Sequence, residues 1–578
     1  MKELLKYLKG HIRESIIAPL FKMLEASFEL FVPVITARII DIGIRNKDNP
    51  YIWKQCVLLV ALGVIGLVCS VIAQYFAATA AYGFGTNLRA DMYRHINSLS
   101  YTELDKAGIP TLVTRITSDV NQVQTGVNLF LRLFLRSPFL VVGAVIMAFS
   151  ISARLAVIFL IAVPLISLAI FLIVKLTIPI YKRVQNMLDR VVLLTRENYV
   201  GARVVRAFSR QKDEQEKFGE TNEELKDIQM RAGRISALMN PITYVLVNLA
   251  IIAILIAGGY QVDEGNLTQG EVIALINYMN QILLALLTLA SLVITVTKAW
   301  ASAIRVNEVF QLSPSMIEPE NSLGAQEQTE DAVRFEHVDF SYAGAQAPSL
   351  TDIDFHVRKG DTIGIIGGTG SGKSTLIHLI PRFYDVDEGK VLVNGIPVEK
   401  YSFDELRGRI GIVPQKSVLF HGTIRENMQW GNKDATDEQI WEALSIAQAK
   451  EFVEKKEYGL DELVTTGGRN FSGGQRQRLC IARALVRKPD ILILDDSASA
   501  LDYATDAALR KSIKEKTIGM TTFIVSQRAA SVQGADLILV LDDGAVVGIG
   551  THEELIKNCD VYREICLSQF SKEEVAGL

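Results

Sequence analysis

Gly367-Gly368-Thr369-Gly370-Ser371-Gly372-Lys373-Ser374 is the stretch from which the rest of this chain is read. A strand-like run, residues 361–366, precedes it, and Thr375 opens a helix-like run that continues to residue 380. Strand, glycine-rich turn and helix in that order make a phosphate cradle. The glycines let successive backbone N–H groups curl around phosphate oxygens, Lys373 reaches the outer phosphates, and the Ser374 hydroxyl is placed to ligate Mg²⁺. The bland alternative, a flexible glycine-rich loop, matches far less of this context. A nucleoside triphosphate is therefore the expected ligand, held by residues from Gly367 through Thr375.

Outward from the loop, composition divides the chain. Its 578 residues exceed what one hydrophobic core holds, and the apolar excess in a 49% hydrophobic chain sits in the N-terminal half. Six apolar segments are expected to cross a membrane, at residues 16–39, 53–80, 131–151, 155–178, 241–260 and 272–296, each near or above the span length of about 20 residues. The connections 82–130 and 179–240 are long and rich in Lys and Arg, which places them on the cytoplasmic side with both termini. Their apolar and charged residues alternate at helical spacing, as expected of stalks that extend beyond the bilayer. Residues 1–13 read as an uncleaved interfacial helix. Within the first span, Lys22, Glu25 and Glu29 share one helix face; they are either paired inside a bundle or line a polar cavity.

A formal net charge of −4 gives no case for nucleic-acid binding through a basic face. Cys56, Cys69, Cys480, Cys559 and Cys566 show no metal-type pairing and read as reduced thiols. Two domains joined by a linker are expected: a membrane domain over 1–310, a polar linker over 311–332 and a second domain over 333–578. In the last, strand-like runs at 362–366, 390–393, 410–413, 491–494, 522–525 and 537–541 alternate with helical stretches, which implies an α/β fold. Asp495 ends one such run and is the natural metal partner of Ser374.

Between them lies Phe471-Ser472-Gly473-Gly474-Gln475, followed by a helical run. Here the chain resembles the ATP-binding cassette (ABC) family, and specifically its exporter-type half-transporters. The resemblance implies six membrane helices with long cytoplasmic extensions followed by an α/β P-loop cassette. It implies ATP and Mg²⁺, with Ser374, Gln415 and Asp495 toward the metal. It also implies that Phe471, Ser472, Gly473, Gly474 and Gln475 cap the ATP held by a second cassette. Tyr342 matches the aromatic that stacks on adenine, Gln415 the residue that senses γ-phosphate, and Ser499-Ala500-Leu501-Asp502 the loop that crosses the dimer interface. The tips near residues 101–104 and 207–210 match the helices that dock on cassettes.

Two positions depart from the family pattern. Asp496 stands where the family places the Glu that orients the attacking water, and one methylene less sets its carboxylate about 1.5 Å back. Gln527 stands where the family places a histidine, and it can donate a hydrogen bond but does not titrate. The departures point to a degenerate subunit of a heterodimeric, multidrug-type exporter, whose partner carries Glu and His at these two positions. An ATP-gated regulatory membrane subunit and a slow homodimeric exporter are the alternatives; import is a lesser one. The expected setting is a bacterial plasma membrane, multi-pass, with the cassette in the cytoplasm. The expected cargo is a small amphipathic drug, lipid or peptide.

Overall fold

The computed structural model describes residues 3–319, 329–497 and 500–570. It divides into two compact units, one of residues 1–97 and 109–312, the other of residues 98–108 and 313–578.

The first unit is helical throughout. Five of its described helical stretches are long and apolar enough to cross a membrane: Asn49–Ser98, Ile109–Ile151, Ala153–Val200, Gln211–Asp263 and Gln269–Gln311. The 48 residues of Ala153–Val200 make a helix about 72 Å long. That is more than twice the hydrocarbon thickness, so the expected extension of the stalks follows from length alone. The first expected span is the 27-residue helix Ile12–Arg38, preceded by a 3₁₀ segment, Leu4–His11. Its charges set it apart from the other five, and Lys22, Glu25 and Glu29 are paired. Lys22 Nζ donates to Glu25 at 2.5 Å and to Ser70 Oγ at 3.0 Å, and Arg136 donates to Glu29 at 2.7 Å. Pro33 has no N–H to give to the Glu29 carbonyl four residues back, and Gln281 Nε2 donates to that carbonyl instead, at 3.3 Å.

One expected tip lies elsewhere. The second short cytoplasmic helix is Ala202–Ala207, ahead of the expected 207–210, because Gly201 leaves helical geometry and ends the long helix there. Around it Tyr199, Val200, Val204 and Phe208 are exposed.

The second unit is built on a six-stranded sheet in the order Ala545–Gly550, Leu537–Asp542, Thr362–Gly367, Thr521–Val525, Ile491–Asp495, Ile410–Val413. All neighbours are parallel except the first pair. The central strands are apolar along their length and buried on both faces, the pattern of a parallel sheet covered by helices. A four-stranded antiparallel sheet, Leu350–Arg358, Asp331–Phe340, Glu388–Val393 and Ile396–Pro397, packs beside it around Phe335, Phe355 and Val391. All six expected strands are present.

Candidate functional site

Sheet topology assembles the site. Thr521–Val525 pairs on one side with Thr362–Gly367 and on the other with Ile491–Asp495, so Val525 sits opposite both Ile365 and Asp495. The loops after these three adjacent strands therefore leave from one edge, where ligands bind in open α/β sheets. They enclose a cleft of about 430 Å³ lined by Tyr342, Thr369, Gly370, Gly372, Lys373, Ser374, Thr375, Gln415, Asp495, Asp496 and Gln527, among others.

Within the cleft the P-loop has the backbone its glycines permit. Gly370 and Gly372 have φ of +86° and +92°, and a Cβ on Gly372 would come within 2.8 Å of Leu350. Neither position accepts a side chain without strain. Lys373 begins the helix Lys373–Leu379, and its ammonium donates to the carbonyls of Gly367 at 3.0 Å and Gly368 at 2.5 Å, and to Ser371 Oγ at 3.3 Å. Burial pushes the Lys373 amine below its ordinary range, opposed by the carboxylates of Asp496 and Asp495.

Ser374 Oγ donates to Asp495 Oδ1 at 3.0 Å, so the two side chains expected to share a metal lie in contact. Burial raises the Asp495 carboxyl, and the Ser374 hydrogen bond works in the opposite direction. A hydroxyl and a carboxylate at this spacing are hard oxygen donors, suited to a small divalent cation that takes its other ligands from phosphate and water. Gln415 Nε2 donates to Asp496 Oδ2 at 3.4 Å. Asp496 has φ +44°, a sparsely populated region for a non-glycine residue, and its N–H is tied to the Val525 carbonyl at 3.0 Å. The backbone at Gln527 is fixed as well: its carbonyl accepts from Gln569 Nε2 at 2.8 Å, and the Ser526 N–H donates to Ile365 at 3.0 Å. Tyr342 OH lies 3.2 Å from Thr375 Oγ1.

The residues expected to cap the ATP of a second cassette, and Asp502 with them, lie apart from this cleft. None of Phe471, Ser472, Gly473, Gly474, Gln475 or Asp502 lines it. Ser472 caps the helix Gly473–Val486 through a reciprocal pair in which Gln475 N–H donates to Ser472 Oγ and Ser472 N–H donates to the Gln475 side chain. Buried Phe471 anchors the turn, and Arg478 Nη1 donates to the Gln448 carbonyl at 2.6 Å. Asp502 caps the next helix, Tyr503–Lys516, by accepting from the Thr505 N–H and hydroxyl, which hold its carboxyl below the usual range. Ser499 lies outside the described residues.

Ser526, Asp543 and Gly544 also line the cleft and were not anticipated. Asp543 and Gly544 have φ of +44° and +81° in the turn joining two antiparallel strands, the Asp-Gly hairpin turn. That dipeptide marks the turn in the sequence, but nothing local says the turn faces the P-loop.

Comparison with known proteins finds matches for both halves of the chain. The ABC transporter transmembrane region family matches residues 15–286, and the ABC transporter family matches residues 350–499. The chain is 38% identical to an uncharacterized ABC transporter ATP-binding protein of Mycobacterium tuberculosis over the full length of both. It is 33% identical to a probable multidrug resistance ABC transporter ATP-binding/permease protein of Bacillus subtilis, over 93% of this chain and 92% of that one. Among solved structures, a bacterial Atm1-family ABC exporter with ATP bound shares the fold at a TM-score of 0.81 and 22% identity, covering 98% of this chain and 99% of the other.

Proposed function

The chain belongs to the ABC transporter family as a multi-pass membrane exporter half with its ATP-binding cassette in the same polypeptide, and from that premise we propose that it is the degenerate-site subunit of a heterodimer. Its own cleft holds ATP and Mg²⁺ for long periods, while its signature edge completes a competent site on a non-identical partner. The cargo is a small amphipathic compound, a drug, lipid or peptide.

The content of the cleft carries this reading. Asp496 and Gln527 line it, and Phe471 to Gln475 and Asp502 do not. A nucleotide on this P-loop therefore lacks its second wall until another cassette supplies one. Exposed Tyr199, Val200, Val204 and Phe208 around the helix Ala202–Ala207 support a second subunit as well, since apolar residues clustered at a tip mark a docking surface.

When bound, ATP with its metal ion supplies the phosphoanhydride whose cleavage powers transport. The residues act around it. Lys373 would turn its ammonium toward the outer phosphates, Ser374 and Asp495 would hold Mg²⁺, and Gln415 would report on the γ-phosphate through its contact with Asp496. The Asp496 carboxylate orients water from a shorter side chain, and a misplacement near 1 Å costs roughly a hundredfold in rate. Gln527 donates to phosphate but cannot move a proton as imidazole does. Binding is retained and turnover is slow.

Replacing Asp496→Glu together with Gln527→His is expected to raise ATP hydrolysis by the purified full-length chain by roughly a hundredfold. Brisk hydrolysis by the unmodified homodimer would reject the degenerate-site reading. Flux into vesicles, with and without the partner chain, separates an exporter from a regulatory subunit.

A further inference from the structure

The short helix Tyr101–Ala107 belongs to the same compact unit as the cassette and is held there at both flanks. On one flank, buried Glu103 accepts from the Ser315 N–H and hydroxyl, each at 3.3 Å, and Ser100 Oγ accepts from the Met316 N–H at 3.1 Å. On the other, the Tyr101 ring packs on Phe383 with centroids 4.7 Å apart, and the Tyr384 hydroxyl donates to Asp105 Oδ2 at 2.7 Å.

Tyr384 differs from the other contacts because its ring also meets Tyr342 at the wall of the cleft. Its ring stands edge to face against Tyr342, with centroids 5.2 Å apart and planes at 87°. Tyr342 lines the cleft and touches Thr375 of the P-loop helix. One side chain thus joins the aromatic at the cleft to the short cytoplasmic helix with no intervening residue. Aromatic pairs in this geometry resist independent rotation, and the hydrogen bond to a carboxylate fixes the other end.

We infer that Tyr384 is a positioning residue that relays occupancy of the cleft at Tyr342 to residues 98–108. A purine base laid against Tyr342 restricts that ring, the edge-to-face contact restricts Tyr384, and the Tyr384 hydroxyl then holds Asp105 and its helix in one pose. Gln415 contacts Asp496 at the phosphate end of the cleft, so this second connection starts from the base end. Burial, then the hydrogen bond to Asp105, raise the Tyr384 phenol well above its ordinary range, so the hydroxyl stays a donor at any physiological pH. The relay rests on the proposed reading of Tyr342 as the platform for the base.

Hydrogen exchange on the full-length chain in lipid nanodiscs, with and without Mg-ATP, tests it. In the unmodified chain ATP is expected to slow exchange at residues 367–374 and, by about fivefold, at residues 98–108, the lower end of usual coupling between sites. Tyr384→Phe keeps the ring and removes only the hydroxyl. It should keep the protection at 367–374 and reduce the effect at 98–108 to less than about twofold. Asp105→Ala should do the same, and the double variant should be no worse than either single one.

Unchanged protection of 98–108 in Tyr384→Phe would overturn the relay. Loss of protection at both segments would make Tyr384 part of the binding site and overturn it too. Absence of protection at 367–374 in the unmodified chain would instead refute the nucleotide reading beneath it, and the relay with it.

Discussion

On the proposed reading the cassette has two functional edges, and they differ in how closely they keep the requirements of hydrolysis. At the signature edge, Ser472 and Gln475 complete a reciprocal cap, Phe471 is buried beneath the turn, and Asp502 caps the following helix with both carboxylate oxygens. At the cleft edge Lys373 lies over the P-loop carbonyls and Ser374 on Asp495, but Asp496 and Gln527 stand where, on that reading, a longer carboxylate and an imidazole would suit the chemistry. Holding a nucleotide and cleaving it are separable demands. The proposal assigns the first to backbone amides, one ammonium and two hard oxygens, and makes the second depend on a single carboxylate placed to within about 1 Å.

Substitutions at the two edges sharpen this contrast. The largest effect is expected at the signature. A Cβ on Gly474 would lie 3.1 Å from the Ala500 carbonyl, so Gly474→Val crowds the surface proposed to meet the partner's nucleotide. Steady-state hydrolysis by the complex with its partner should fall by about a hundredfold or more, as when a transition-state donor is lost. Lys373→Ala removes a charged donor from the cleft of this chain and should weaken ATP binding there by about thirtyfold in equilibrium titration, in line with the value of one charge-assisted hydrogen bond. The complex should lose less turnover to Lys373→Ala than to Gly474→Val. The reverse order would mean that hydrolysis takes place in this chain's own cleft.

Local signals made the cassette legible in the sequence. Glycines at 370 and 372 declare positive φ, Asp495 closes an apolar strand, and Ser472 with Gln475 spells a cap, so each could be read within ten residues. The ABC resemblance supplied the roles of Tyr342, Gln415 and Asp502, which no local rule assigns. In the membrane half, the pair Lys22 and Glu25 was visible because residues three apart share a helix face. Contacts between distant segments were not visible. The partner of Glu29 is Arg136, 107 residues away, and Tyr384 meets Asp105 across 279 residues. The second cytoplasmic tip was misplaced because the residue that ends the long helix, Gly201, acts through a small change of backbone angle. Ser526 and Gly544 reach the cleft only through strand pairing.

The most direct test of the degenerate-site account is the state of the nucleotide in this chain's cleft while the complex turns over. Photolabelling of the full-length chain with an azido-ATP labelled on its α-phosphate, in the presence of its partner and during steady-state hydrolysis, reads that state. The account predicts that triphosphate persists on this chain over many turnovers of the complex, with diphosphate accumulating on the partner. Diphosphate appearing on this chain at the rate at which the complex hydrolyses ATP would contradict it.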